Sequence, residues 1–447
     1  MTGGIRVKTP DASMDLMLNG RLLYQTVACR LFARSAFYQC GGAYGYRDQL
    51  QDVLALLPHS PQRAKQQILL HAAHQFEEGD VLHWWHSVEN GNDRGIRTRF
   101  SDDLLWLAYV TLEYIKVTGD MSILDEQAAF VTGAPLGDGV DELYYEVGTS
   151  QATADIYTHM LLAVRRVLQL GAHGLLLMGS GDWNDGMSSV GNGGKGESVW
   201  LTWFMCDILE RLIPICERRG DSKEAKSLSV TREDLIEAAN KNAWDGKWYI
   251  RAFFDDGSPL GSHENSECKI DALVQAWSVI SRAGAPDKAV QAMEAVKNYL
   301  VSKENGLIAL LTPAFQNSDP SPGYIQSYVE GVRENGGQYT HAAVWVVMAA
   351  AMLGDGNTAW QYFHMINPVN HTQSAMQAAR YKNEPYALSA DVYTNPAHMG
   401  RAGWSFYTGA AGWYYKVGTE QLLGLKKRGS RLYVQPCVPD EWDGFEA

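Results

Sequence analysis

The chain has 447 residues, 46% of them hydrophobic, and 38 Lys and Arg against 51 Asp and Glu leave a formal charge of −13. An acidic balance without a basic block argues against nucleic acid as a partner; no apolar run approaches the ~20 residues that span a bilayer, and Met1–Pro10 lacks the apolar core of a secretory signal. Six scattered cysteines, Cys29, Cys40, Cys206, Cys216, Cys268 and Cys437, form no C-x-x-C pair, so neither a zinc ribbon nor a disulfide framework is indicated, and reduced thiols in a soluble cytoplasmic protein are the simplest reading.

Helical periodicity dominates the chain. Apolar spacing and stop signals predict helices over Met14–Tyr38, Pro61–Gln75, Asp102–Thr118, Thr153–Leu170, Ser198–Arg218, Arg232–Asn242, Lys269–Ala283, Asp287–Ser302, Thr340–Leu353, Thr358–Ile366, Gly403–Lys416 and Thr419–Leu423. Strand signal is confined to Trp248–Phe254 and Arg431–Gln435. A dozen helices at this spacing predict an all-α chain, six hairpins closed into an (α/α)6 toroid with minor β decorations and its functional loops at one end. No internal repeat is visible, which disfavours a solenoid.

Five loops concentrate polar residues that a core would not choose. In Gly181-Asp182-Trp183-Asn184-Asp185-Gly186 two carboxylates flank an indole; the ring can stack on a sugar face, and a desolvated carboxyl can keep its proton and act as a general acid. The same residues also read as a polar turn. Gly41–Asp52 follows Arg34 at the end of an apolar helix, and its Arg47-Asp48 pair can hydrogen-bond vicinal hydroxyls or form a structural ion pair. His83-Trp84-Trp85-His86 has no third ligand at zinc spacing, so no metal is predicted. Downstream, Ser101 or Asp102 reads as a helix cap, leaving Asp103 to face a sugar. Glu334 and His341 gather where an Ala-rich helix begins, a place that favours anions and could orient both a sugar and a phosphate. Trp404–Gly409 sets the Thr408 hydroxyl and the Gly409 amide beside aromatic rings. No nucleotide-binding glycine loop and no G-x-S-x-G elbow is present, so no cofactor is implied.

Tyr24-Gln25-Thr26 with Arg34, Gly45 to Asp52, Arg99-Phe100-Ser101-Asp102-Asp103, Gly181 to Met187, Gly196-Glu197-Ser198, Arg333-Glu334-Asn335-Gly336-Gly337 and Tyr407-Thr408-Gly409, in this order, resemble the catalytic domain of glycoside hydrolase family 94, the cellobiose and chitobiose phosphorylases. The resemblance runs from about Leu18 to the C-terminus. It implies an (α/α)6 catalytic barrel and a glycosyltransferase-type enzyme that carries out inverting phosphorolysis of a β-linked gluco-oligosaccharide, yielding α-glucose 1-phosphate and a shortened acceptor. Inorganic phosphate is then a co-substrate. Carried over by position, Asp185 is the general acid; Trp183, Asp48 and Glu334 are donor-sugar contacts, with Arg47, Asp103 and Asp182 beside them; and Arg34, His341, Thr408 and Gly409 form the phosphate cradle. Phosphate is itself the nucleophile, so one acid suffices.

Three departures qualify the resemblance. The expected division is a linker over residues 1–17, the catalytic domain over 18–427 and the start of a truncated C-terminal β-layer over 428–447, without the large N-terminal β-sandwich of most members. A homodimer is one assembly the resemblance allows, although the family's dimer often relies on that sandwich. Gly41-Gly42-Ala43-Tyr44 stands where cellobiose-type enzymes carry a second arginine, a variant similar to the cyclic β-1,2-glucan synthase, cellobionic acid and β-1,2-oligoglucan branches. Linkage and acceptor therefore stay open. So do an inverting hydrolase using Glu334 as base, and a β-1,2-glucan-processing domain that binds glucan without independent turnover.

Overall fold

The computed structural model describes residues 4–32, 42–88 and 91–447. Helix α1 (Ala12–Leu16) begins where the Asp11 carboxylate accepts from the backbone N–H groups of Ser13 and Met14, and helical turns continue to Phe32 past a break at Gly20 with φ 152°. The further helices are α2 (Tyr46–Asp52), α3 (Pro61–Ala72), α4 (Leu105–Thr118), α5 (Ile156–Val167), α6 (Val199–Arg218), α7 (Ser222–Asn242), α8 (Ala272–Ile280), α9 (Pro286–Tyr299), α10 (Thr340–Met352), α11 (Gly356–Ile366), α12 (Ala375–Tyr381) and α13 (Ala410–Lys416). Among these, α4, α8, α10 and α13 are buried on nearly every side. By contrast α7 buries only Ala225, Leu228, Leu235 and Ala239, a stripe at helical spacing, and packs it against α6.

The buried helices meet over aromatic rings. Trp106 touches Phe204, Phe204 touches Trp277, Trp277 touches Trp345 and Trp345 touches Trp413, with centroids 4.5, 5.3, 5.2 and 5.5 Å apart, so the tryptophan load fills the centre of the molecule. Trp345 also contacts Trp183, at 5.7 Å, which joins that centre to the candidate site.

The expectation of an all-α chain with minor β decorations is corrected. Among the described residues nineteen short strands form seven antiparallel sheets, and several of them are structural parts of the site. Tyr44–Gly45 leads directly into α2, Glu197–Ser198 into α6 and Gln338–Tyr339 into α10; each of these strands is paired in a sheet, which fixes the helix mouth that follows. Two-residue strands are too short to show a period of two, so sequence periodicity cannot register them. Thr153–Asp155 and Gly403–Ser405, read as helix, are strand, and α5 starts only after its Asp155 cap. The converse also occurs: Tyr46–Asp52, read as a polar loop, is helical, and α7 starts ten residues before the predicted Arg232 because Asp221 caps a polar first half. The predicted helical residues 33–38 lie outside the described residues.

Near the chain ends Lys8 and Glu446 exchange two backbone hydrogen bonds of 2.9 Å. No helix among the described residues is long and apolar enough to cross a membrane.

Candidate active site

A cavity of about 460 Å³ opens among the segments that precede α2, α10 and α13 and the loop before α6. Of the residues predicted from sequence, Arg47, Asp48, Trp183, Asp185, Glu334, His341, Thr408 and Gly409 line it together. Asp182 and Asp103 lie behind its wall, and Arg34 lies outside the described residues.

The loop from Gly181 to Gly186 divides its two aspartates between structure and cavity. Gly181 has φ 148°, and a Cβ there would come within 2.7 Å of the Phe100 ring, so the turn requires glycine. Asp182 is fully buried; it accepts from Arg251 at 2.6 and 2.7 Å and from the Ser198 hydroxyl at 2.6 Å. Burial would raise its pKa, but Arg251 and these hydrogen bonds outweigh that and hold it below the usual carboxylate range. Three residues on, the Asp185 side chain keeps 31% of its surface exposed and accepts from Arg47 Nη2. Trp183 between them is buried edge-on against Tyr339 at 5.4 Å and close to His341 at 5.6 Å.

Arg47 is the hub of the acidic wall. Its Nη1 donates to Asp102 Oδ1 at 2.8 Å and to the Asp182 carbonyl at 3.0 Å, while its Nε lies 3.6 Å from Asp103 Oδ1. One guanidinium thus ties the start of α2 to the turn before α4 and to the Gly181–Gly186 loop. Crowding has a consequence: burial and the adjacent Asp103 push the Asp102 carboxyl up to about 7 despite Arg47. Asp103 Oδ2 meets His83 Nδ1 at 2.8 Å, so this aspartate supports a wall residue instead of forming the wall.

On the other side, Arg30 reaches the cavity although the sequence reading did not select it. Its Nε donates to Asp52 at 3.1 and 3.2 Å, its Nη2 to Asp48 at 3.0 Å, and its guanidinium stacks on Tyr407 at 4.2 Å. Partial burial would raise the pKa of Asp48, but Arg30 and then Arg47 pull it below the usual range. A Cβ on Gly409 would sit 3.4 Å from Arg30 Nη2, which shows how closely that backbone approaches the guanidinium. The signal for Arg30 was its place four residues before Arg34 within the helix expected from sequence over Met14–Tyr38.

His341, in the first turn of α10, is buried, and its Nε2 has no hydrogen-bond partner among the described residues. Burial, reinforced by Arg30, holds its pKa at about 3, so the imidazole is neutral at physiological pH. The Thr408 hydroxyl accepts from the Ala410 amide at 3.2 Å.

Glu334 completes the circle. Burial raises its carboxyl; Arg333, 3.3 Å away, opposes this, and Asp185 adds to it. The neighbouring Arg333 has φ 52°, donates its backbone N–H to Asp391 at 2.9 Å, and stacks between Tyr328 and Trp404 at 4.6 and 4.4 Å. Trp404 and Phe406 also adopt left-handed backbone, with φ 49° and 68°. Non-glycine strain of this kind, held in place by surrounding structure, concentrates at functional sites. No group of three His, Cys, Asp or Glu among the described residues is arranged to hold a metal.

Comparison with known proteins follows the same lines. A family model described as the catalytic domain of the glycosyl hydrolase 94 superfamily matches residues 1–424. The chain is 46% identical to the cyclic beta-(1,2)-glucan synthase NdvB of Rhizobium meliloti (strain 1021), over 100% of the chain and 16% of that protein. It is 31% identical to solabiose phosphorylase of Paenibacillus borealis, over 99% of the chain and 53% of that protein. The chain therefore spans about half, or much less, of the length of these relatives. Among solved structures, a rhamnosidase from Klebsiella oxytoca with rhamnose bound is similar in fold, with TM-score 0.59 and 13% identity over 94% of this chain and 67% of that one.

Proposed function

Since the chain belongs to the glycosyl hydrolase 94 superfamily as its catalytic domain, we propose that it carries out inverting phosphorolysis of a β-linked gluco-oligosaccharide, releasing α-glucose 1-phosphate and a shortened acceptor. The observation that carries this reading is a neutral His341 with an unpartnered Nε2 in the same cavity as the Arg30 guanidinium and the Asp185 carboxyl. A hydrolase has no use for such an oxyanion pocket.

In this reading phosphate occupies the space bounded by Arg30, His341, Thr408 and the Gly409 amide, with Arg34 as a further candidate from the resemblance. Asp48 and Glu334 accept from hydroxyls of the donor sugar, and Trp183 covers it. Phosphate oxygen attacks the anomeric carbon from the face opposite the leaving group; the carbon–oxygen bond to the acceptor breaks as Asp185, acting as general acid, gives a proton to that oxygen. Hydrogen phosphate loses its own proton as it becomes the sugar phosphate dianion, which restores a proton to Asp185 through solvent. No separate base is needed, and no cofactor enters.

The 46% identity to a cyclic beta-(1,2)-glucan synthase favours a β-1,2-linked glucan as the first substrate to try. It also supports a second reading, a glucan-processing domain of a larger synthase that binds the chain without turning it over alone. Incubating the protein with β-1,2-, β-1,3- and β-1,4-linked gluco-oligosaccharides, with and without phosphate, separates the readings. Phosphate-dependent glucose 1-phosphate is the expected result; equal sugar release in phosphate-free buffer would identify a hydrolase, and glucan binding with no product would establish the second reading.

A further inference from the structure

The motif His83-Trp84-Trp85-His86 splits in the structure. Trp85 is buried and stacks on His74 at 3.9 Å, and His86 lies against Trp84 at 5.4 Å, whereas His83 faces the cavity. We propose that His83, anchored by Asp103, is a positioning residue for the acid–base carboxyl of Asp185, an assignment that rests on the phosphorolysis reading above.

The geometry is that of an oriented dyad. His83 Nδ1 is 2.8 Å from Asp103 Oδ2, which fixes the ring plane, and the edge of the ring is held by Phe100 at 4.7 Å. Nε2 then points to Asp185, with Oδ2 3.9 Å away. Asp185 Oδ1 is taken by Arg47, so each carboxyl oxygen faces a separate donor and the carboxyl plane is defined from two sides. Contacts of this length tighten in the complex with substrate, directly or through one water.

The groups facing His83 are Asp103 from the turn before α4, Asp185 from the Gly181–Gly186 loop, and Arg47 and Asp48 from α2. Burial alone would pull the imidazole down, but Asp103 and then Asp185 outweigh burial and Arg47 and raise it to about 9. Once Asp185 has given up its proton, His83 is therefore a cation at neutral pH with a proton on both nitrogens. It stabilises the carboxylate that forms as Asp185 passes its proton to the leaving oxygen, while the proton itself travels from Asp185 to the acceptor.

This role makes a demand that packing alone does not: it concerns leaving groups that require a proton. With the unmodified protein, phosphorolysis of a β-gluco-oligosaccharide is compared with that of 2,4-dinitrophenyl β-glucoside, whose leaving group departs as a stable anion. His83→Asn and His83→Gln, each checked for a wild-type melting profile, should lower kcat on the oligosaccharide ~10- to 100-fold, below the range for losing a general acid outright. Their kcat on the dinitrophenyl glucoside should fall less than about threefold, since no proton is needed there. Equal losses on both substrates would mean a merely structural histidine and overturn the proposal, as would an unchanged rate on the oligosaccharide. Failure of the functional reading looks different, because wild-type protein would then yield glucose 1-phosphate from neither substrate, and the proposal would fall with it.

Discussion

The loop from Gly181 to Gly186 carries two arginine–aspartate pairs that differ in nearly every physical respect. At its root, Asp182 and Arg251 both have 0% side-chain exposure and bond at 2.6 and 2.7 Å. At its mouth, Asp185 and Arg47 are 31% and 11% exposed, and the carboxyl opens on a cavity ringed by Glu334, His341 and Asp48. A buried pair fixes geometry because breaking it strands a charge away from water; an open pair leaves one partner available to a ligand. The two carboxylates are therefore not interchangeable, although three residues separate them.

The sharpest test exchanges the consequences of the two positions. Asp185→Asn should reduce kcat by ~10²–10⁴-fold, the usual worth of general acid catalysis, with the denaturation midpoint close to wild type. Steady-state phosphorolysis and urea titration measure both quantities on one preparation. Near wild-type turnover would remove Asp185 from the reaction. Asp182→Asn should do the reverse in kind, costing about 3–5 kcal/mol of stability because among the described residues Arg251 keeps only Asp271, 3.6 Å away, as a carboxylate partner. If Asp182→Asn were as stable as wild type and only inactive, the contrast between root and mouth would collapse.

On the phosphorolysis reading the mouth divides into an acid side and an oxyanion side, which separate substitutions should resolve. Charged hydrogen bonds contribute about 1.5–3 kcal/mol each. His341→Asn and Arg30→Lys should therefore raise the apparent KM for phosphate about 10-fold or more, while changing that for the glucan less than about twofold. Initial-rate kinetics with each substrate varied in turn decides the matter. A rise confined to the glucan KM would move phosphate elsewhere in the cavity.

These contrasts also show what the sequence could and could not reveal. Helices with a continuous apolar or alanine-rich composition were legible: Thr340–Leu353 was expected and Thr340–Met352 is found, and Ser198–Arg218 differs from Val199–Arg218 only by its cap residue. Sheets of two-residue strands were not, because pairing partners such as Glu197 and Phe253 lie far apart in the chain and leave no local period. The cavity residues were legible as motifs, since Arg47, Asp48, Asp185, Glu334 and His341 stand in polar stretches of sequence that a core would reject. Depth was not. That Asp182 and Asp103 lie behind the wall, that Arg30 reaches it from an apolar helical stretch and that His83 serves a carboxylate all depend on contacts between distant segments.

The smallest expected effect is a pH dependence of stability at the mouth. His83 is raised from its ordinary value near 6.5 to about 9, with burial opposing and Asp103 first among the groups that raise it. In the folded protein it holds its proton more tightly than in the unfolded chain. Its contribution is therefore fully present below pH 6.5, declines as pH rises through the folded value, and is gone above it. Converting a shift of this size at 1.36 kcal/mol per unit sets a ceiling of about 3.4 kcal/mol, and the measured figure should fall at about 1–3 kcal/mol. Taking wild type minus His83→Asn at each pH removes the titration of groups that the substitution leaves alone, such as the buried neutral His71. The difference in unfolding free energy should be largest at pH 6 and shrink by pH 9.5. A constant difference across that range would mean that His83 titrates alike in the folded and unfolded chain, and that Asp103 and Asp185 do not hold its proton.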